Sequence, residues 1–164
     1  MNPKITTRPY QASDAEALAS IYYNTIHHIN SRDYSIEQIN AWAPASSLEK
    51  LDGWKLKWEK LIPIVALSEN IVVGFAELES NGHIDCFYVH HEFQNQGVGS
   101  ALMNAIETKA TQNNSPLLYA VVSITAKPFF ERRGFLVVKK QRVTIRGAEL
   151  TNFVMEKILK PKIS

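Results

Sequence analysis

The residues Gln94-Asn95-Gln96-Gly97-Val98-Gly99 lie between a strand-like apolar run and a helix-like run. Two glycines strip side chains from this turn, and the first amides of the following helix have no carbonyl one turn back. Together with the positive end of the helix dipole, such amides form an anion site whose natural ligand is a phosphate. Neither common phosphate motif accounts for it. No G-x-x-x-x-G-K-[ST] run occurs, and Leu102 stands where G-x-G-x-x-G needs its third glycine. A tight strand-to-helix turn without a ligand fits the same residues, so the glycines alone leave both readings open. Upstream, Asp85 is a charged group in an otherwise apolar strand, which is costly unless it is paired or faces a cleft. That makes it a candidate base, with a structural ion pair as the other reading. His83 has the acid strength of a base near neutral pH, but the start of a strand is an exposed place. Period-two alternation puts His83, Asp85, Phe87 and Val89 on one face and Ile84, Cys86 and Tyr88 on the other. Cys86 is then turned away from Asp85 as a buried, inert thiol.

These residues need a frame. Residues 4–8 read as a short strand. Ser13-Asp14-Ala15-Glu16 reads as a capping box opening a helix with Ala17, Leu18, Ile21, Tyr22, Thr25, Ile26 and Ile29 at helical spacing. Ser35-Ile36-Glu37-Gln38 is a second capping box, for a short helix through Trp42 that Pro44 stops. Residues 47–60 read as a third helix, interrupted or ended early at Gly53. Strand runs at 62–67, 71–78 and 83–90 make a meander. A helix over 97–112, a strand over 117–122, a helix over 125–132 ended by Gly134, and strands over 135–146 and 150–158 complete the order. The strand–helix–strand unit from 83 to 122 joins two parallel strands by a right-handed crossover. The expected fold is α/β: a central mixed sheet of about seven strands with helices on both faces, in one domain over 1–164.

Composition narrows the partners. The chain has 164 residues with 18 Lys+Arg against 16 Asp+Glu, a net charge of +2, and no polybasic stripe, so nucleic acid is not an expected partner. No apolar run approaches the roughly 18 residues of a membrane span, and residues 1–7 lack the apolar stretch of a signal peptide. A cytoplasmic location and no membrane partner are expected. One cysteine excludes an internal disulfide and a Cys-cluster metal site. His27 and His28 are adjacent and so point apart on a helix, which makes a poor ligand pair, and no metal is expected.

The run Phe87-Tyr88-Val89-His90-His91-Glu92-Phe93-Gln94, followed by Q-x-x-G-x-G, resembles the acetyl-CoA loop of the GCN5-related N-acetyltransferase (GNAT) superfamily, with His91 where a proline is common. About 30 residues on, Ala126-Lys127-Pro128-Phe129-Phe130-Glu131-Arg132-Arg133-Gly134-Phe135 is similar to that superfamily's A-x-x-F-Y-E-x-x-G-F segment. Phe153-Val154-Met155-Glu156-Lys157 looks like its last strand, and the element order matches over nearly the whole chain.

The resemblance implies acetyl-CoA as co-substrate. Its pyrophosphate would sit on the loop amides of Gln94, Asn95, Gln96, Gly97, Val98, Gly99 and Ser100. Its pantetheine arm would pair with the backbone of Phe87, Tyr88 and Val89, where two strands splay. Lys127 would meet a phosphate, a solvated lysine being the other reading. The implied reaction is direct attack of a neutral amine on the thioester in a ternary complex. Asp85 and His83 are the candidate bases. Phe130 replaces the family's usual tyrosine acid, so Ser123, Tyr119, Tyr88 or a water would have to serve. His27, Tyr34 and Trp42 are the candidate walls of the acceptor pocket. The expected acceptor is the primary amine of a small molecule, with a non-catalytic acyl-CoA-binding module and a protein or peptide acetyltransferase as the alternatives. Monomer and homodimer both stay open.

Overall fold

A computed structural model describes residues 4–159; residues 1–3 and 160–164, the ends of the expected 1–164 domain, lie outside the described residues. Seven strands form one sheet: β1 (Ile5–Pro9), β2 (Ile64–Ser68), β3 (Ile71–Leu78), β4 (His83–Val89), β5 (Leu117–Ser123), β6 (Leu136–Ile145) and β7 (Ala148–Ile158). Their spatial order is β1-β2-β3-β4-β5-β7-β6, and only β4 and β5 run parallel. The helices are α1 (Ala15–His28), α2 (Ile36–Trp42), α3 (Leu51–Lys60), α4 (Val98–Gln112) and α5 (Lys127–Arg132). The order of elements is the expected one, and helices cover both faces. No helix among the described residues is long and apolar enough to cross a membrane.

Each face has its own core. Leu102, Met103 and Ile106 of α4 bury against Ala76, Ile84, Leu118 and Ala120, joined by Phe130 of α5. On the other face Leu18 and Ile21 of α1 and Trp58 of α3 pack on Val65 and Phe75. Ile26, Tyr34, Ile39 and Ala43 then carry α2 onto Leu150 of β7.

Three local expectations are corrected. The first capping box is not Ser13–Glu16. Arg8 of β1 grips the Asp14 carboxylate at 2.7 and 3.0 Å, and the carboxylate so fixed accepts from the Gln11 amide at 2.9 Å, so α1 opens only at Ala15. The second box forms as expected, with Gln38 N–H on Ser35 Oγ at 3.1 Å and Ser35 N–H on Gln38 Oε1 at 2.8 Å. Gly53 does not end a helix: α3 runs through it, and the stretch before is a separate 3-10 turn, Ala45–Glu49. A mid-helix glycine costs roughly 1 kcal/mol, less than the roughly 2 kcal/mol or more that burying a large side chain such as Trp58 returns.

The third correction is in β4. Ala76 pairs with Phe87 but Leu78 pairs with Ile84, so two residues, Asp85 and Cys86, stand opposite the single Glu77. This β-bulge breaks the alternation. Ile84, Phe87 and Val89 face α4, whereas Cys86 and Tyr88 join the α1/α3 core. Asp85 and Cys86 turn to the same side, where Lys57 lies 2.9 Å from Asp85 Oδ2 and 3.9 Å from Cys86 Sγ. The expected opposition of these two residues is therefore wrong.

Gly82, in the turn between β3 and β4, has φ +93°, and a Cβ there would lie 2.0 Å from the Leu117 carbonyl oxygen at the start of β5. Gly82→Ala is expected to cost at least about 2 kcal/mol, lowering the melting temperature by about 4–8 °C. Gly53, exposed and with nothing within 4 Å of a built Cβ, should do the reverse: Gly53→Ala gains about 0.5–1 kcal/mol. Paired thermal melts check both signs.

Candidate active site

β4 and β5 share only two residue pairs, His83 with Tyr119 and Ile84 with Ala120, before they diverge. A cavity of about 610 Å³ opens along the gap. Phe87, Tyr88 and Val89 line it from β4, Val121, Val122 and Ser123 from β5, and Phe129 and Phe130 from α5. Thr25, Ile29, Asn30 and Arg32, at and just beyond the end of α1, and Trp42 of α2 also line it.

The α4 end is built by backbone. Gly97 has φ +87°, and a Cβ there would project into open space. The amides of Val98, Gly99 and Ser100 open the helix without an intrahelical acceptor, and Ala101 N–H is the first to close back, on Gly97 O at 3.0 Å. Gln94 holds the loop to β4 by donating Nε2 to Val89 O at 2.8 Å, and Thr25 Oγ1 donates to the same carbonyl at 2.9 Å. Free amides at a helix start, room before them and an unpaired β4 edge fit a ligand with phosphates and an amide-bearing arm.

The expected cofactor residues Phe87, Tyr88, Val89, Gln94, Asn95, Gly97, Val98, Gly99 and Ser100 all line the cavity. Gln96 and Lys127 do not. Lys127 is paired with Glu131 at 3.2 Å and lies over Phe153. Of the expected catalytic residues, Asp85 and Ser123 line the cavity and His83 does not; its Nδ1 is 2.7 Å from Glu79 Oε2 and its ring stacks on Tyr119. Of the expected acceptor wall, only Trp42 lines the cavity. Tyr34, 7% exposed, donates its hydroxyl to Thr151 O at 2.6 Å and accepts from Ile124 N–H at 2.9 Å. His27 stacks on Tyr23, with Nε2 2.7 Å from Ala43 O. These two build the scaffold behind Trp42, which meets the Tyr34 ring edge-on.

Asp85 is the only carboxylate, and the only Asp, Glu or His, among the described residues lining the cavity. Lys57 of α3 bridges it to Glu77, whose carboxylate is fully buried, with Nζ 3.0 Å from Glu77 Oε1. Burial pushes the Cys86 thiol well up, so it stays neutral beside them. The donor atoms of Glu77, Asp85 and Cys86 lie within 4.8 Å of one another, and the cation among them is the Lys57 ammonium. Burial likewise pushes the Tyr88 phenol well up and the Tyr22 phenol up to about 12. The sequence reading missed Glu77 and Lys57, although the reasoning that singles out Asp85, a carboxylate inside an apolar strand, applies equally to Glu77.

Ser123 Oγ accepts from Ala126 N–H at 3.0 Å and from Asn30 Nδ2 at 3.3 Å. Both lone pairs are used, which leaves its O–H to donate.

The comparisons agree with this geometry. The family model described as an acetyltransferase (GNAT) domain matches residues 30–157. The chain is 38% identical over 151 residues to the uncharacterized N-acetyltransferase YafP of Escherichia coli (strain K12), covering 92% of this chain and 94% of that protein. The crystal structure of a GCN5-related N-acetyltransferase from Rhodopseudomonas palustris is similar at TM-score 0.88 and 32% identity, covering 97% of each chain. The PaiA N-acetyltransferase of Thermoplasma acidophilum, in complex with coenzyme A, shares the fold at TM-score 0.74 and 20% identity, covering 95% of this chain and 99% of that one.

A ligand held by these amides stabilises the fold by mass action. Acetyl-CoA or CoA at about 100 times its Kd should add about 2.7 kcal/mol, raising the melting temperature by about 5–10 °C. ATP at the same concentration should leave it unmoved. In Gly97→Val, a β-branched side chain at positive φ enters the open space, and the shift should disappear.

Proposed function

The chain belongs to the GNAT family of acetyl-CoA-dependent acetyltransferases, and on that premise we propose that it acetylates the primary amine of a small molecule by direct attack while both substrates are bound. The observation that carries this reading is Asp85, the one carboxylate among the described residues that line the cavity, which Trp42 and Tyr88 also line. An amine arrives as an ammonium and attacks only after losing a proton. Asp85 pairs with the ammonium and takes up that proton, directly or through a water. The co-substrate is acetyl-CoA, and it supplies an acyl group on a thiolate leaving group with acid strength near about 8.5 by analogy with free cysteine.

The free amides of Val98, Gly99 and Ser100 at the start of α4 hold the pyrophosphate, and the β4 edge at Phe87, Tyr88 and Val89 holds the pantetheine arm. A β4 amide stabilises the developing oxyanion. Ser123 donates its uncommitted O–H toward the departing sulfur, the duty left open by Phe130. Trp42 faces the acceptor. His83, engaged with Glu79, serves the strand and not the proton transfer. The α1–α2 corner closing the cavity supports a small acceptor over a protein or peptide.

The test is a panel of small amines with release of CoA thiol as the signal. At least one amine should give turnover. For that amine Asp85→Asn should lower kcat/KM by about 10²- to 10⁴-fold while keeping the acetyl-CoA melting shift. Ser123→Ala should lower kcat by about 10-fold, a smaller effect because a thiolate needs less help than an alkoxide. A melting shift with no thiol release from any amine would favour a non-catalytic acyl-CoA-binding module.

A further inference from the structure

Glu77 is 0% exposed, and neither carboxylate oxygen takes part in a hydrogen bond of good geometry. A buried carboxylate is costly unless a cation accompanies it. The cation is the Lys57 ammonium, which reaches down from α3 past Trp54, with its Nζ 5.5 Å from that ring's centre. The same ammonium is 2.9 Å from Asp85 Oδ2. Of this group only Asp85 lines the cavity. One end of the arrangement is therefore locked in the core and the other faces the acceptor.

The β4 bulge makes the arrangement possible. With regular pairing Asp85 and Cys86 would point to opposite faces, and only one of them could reach the lysine on α3. With two residues set against Glu77, Asp85 and Cys86 both turn to the side where Glu77 and Lys57 lie. Glu77 cannot relax toward solvent, so it anchors Lys57. Lys57, its Nζ shared between two carboxylates, occupies Asp85 Oδ2. Burial alone would push the Lys57 ammonium toward neutrality, but the surrounding acidic groups more than reverse this and its acid strength falls, so it stays charged throughout the working pH range.

We propose that Lys57, anchored by Glu77, is a positioning residue that holds the Asp85 carboxylate in the orientation in which it meets the acceptor amine. The proposal rests on the reading of Asp85 as the group that meets the amine.

The test uses Lys57→Met combined with Glu77→Gln, because removing the lysine alone would strand a buried charge and unfold the protein. The double variant should fold and keep the acetyl-CoA melting shift. Its turnover of an accepted amine should fall by about 10- to 100-fold, the scale expected when a reacting group is misplaced. On an Asp85→Asn background the same pair should cost less than about a further twofold, since residues acting through one another are not additive. Crystal structures should find the Asp85 carboxylate beside Lys57 in the parent protein and turned to another rotamer in the double variant. Turnover equal to the parent, a loss that multiplies fully with that of Asp85→Asn, or an unmoved Asp85 would each overturn the proposal. If Asp85→Asn alone leaves turnover intact, the fault lies in the reading of Asp85, and the crystal comparison still decides whether Lys57 holds the carboxylate.

Discussion

Two parallel strands that separate after two residue pairs are the constraint on which the rest of the molecule turns. The crossover through α4 makes β4 and β5 neighbours and makes them parallel. The turn at Gly82 presses on the start of β5 and fixes the two strands together at that end. Beyond Ile84 the rings of Phe87, Phe129 and Phe130, with centres 5.5 to 5.8 Å apart, line the widening gap. Backbone groups along this edge have no partner strand, and a buried unpaired backbone group costs about 1–3 kcal/mol. A sheet left in that state calls for something that pairs with it. On the proposed reading an extended arm carrying amides would do so, with its phosphates received by the free amides at the start of α4.

The bulge in β4 answers a second need. A strand edge that binds by backbone offers no side-chain chemistry of its own. One extra residue lets Asp85 and Cys86 both turn toward the lysine on α3, while the residues before and after stay paired in the sheet. The result joins two systems otherwise separate in the fold: the buried packing of Trp54 and Trp58 around α3, and the rim of the cavity. Helix α3 thus does more than cover the sheet.

The fold was legible because its signals were local. Period-two runs, Gly134 and the Ser35 capping box each report on a few neighbouring residues, and each element they mark is present. The loop beside the cavity was legible for the same reason, since a glycine loop between a strand and a helix is one contiguous segment. What failed depended on contacts between different elements. Arg8 captured Asp14 and moved the start of α1. Tyr34 and His27 looked like pocket residues because they are polar aromatics between helices, but distant carbonyls at Thr151 and Ala43 claim them. The bulge left no mark in the alternation of types, because Asp85-Cys86 reads as a polar and an apolar residue in regular order.

Phe130 shows how a lost hydroxyl can be tolerated at such a site. Its ring is 3% exposed and packs against Phe87, Phe129 and Phe135, so it serves the core beside the cavity. That duty needs an aromatic ring and no hydroxyl. The proton donor can then come from β5. Ser123 stands at the end of β5, and two donors saturate its oxygen, so its hydrogen has nowhere to go but outward. A rotatable hydroxyl becomes a fixed donor once its lone pairs are filled, which is the preorganisation that electrostatic catalysis demands. On the proposed mechanism the packing ring and the acid are therefore divided between helix α5 and strand β5, where a single tyrosine would combine them.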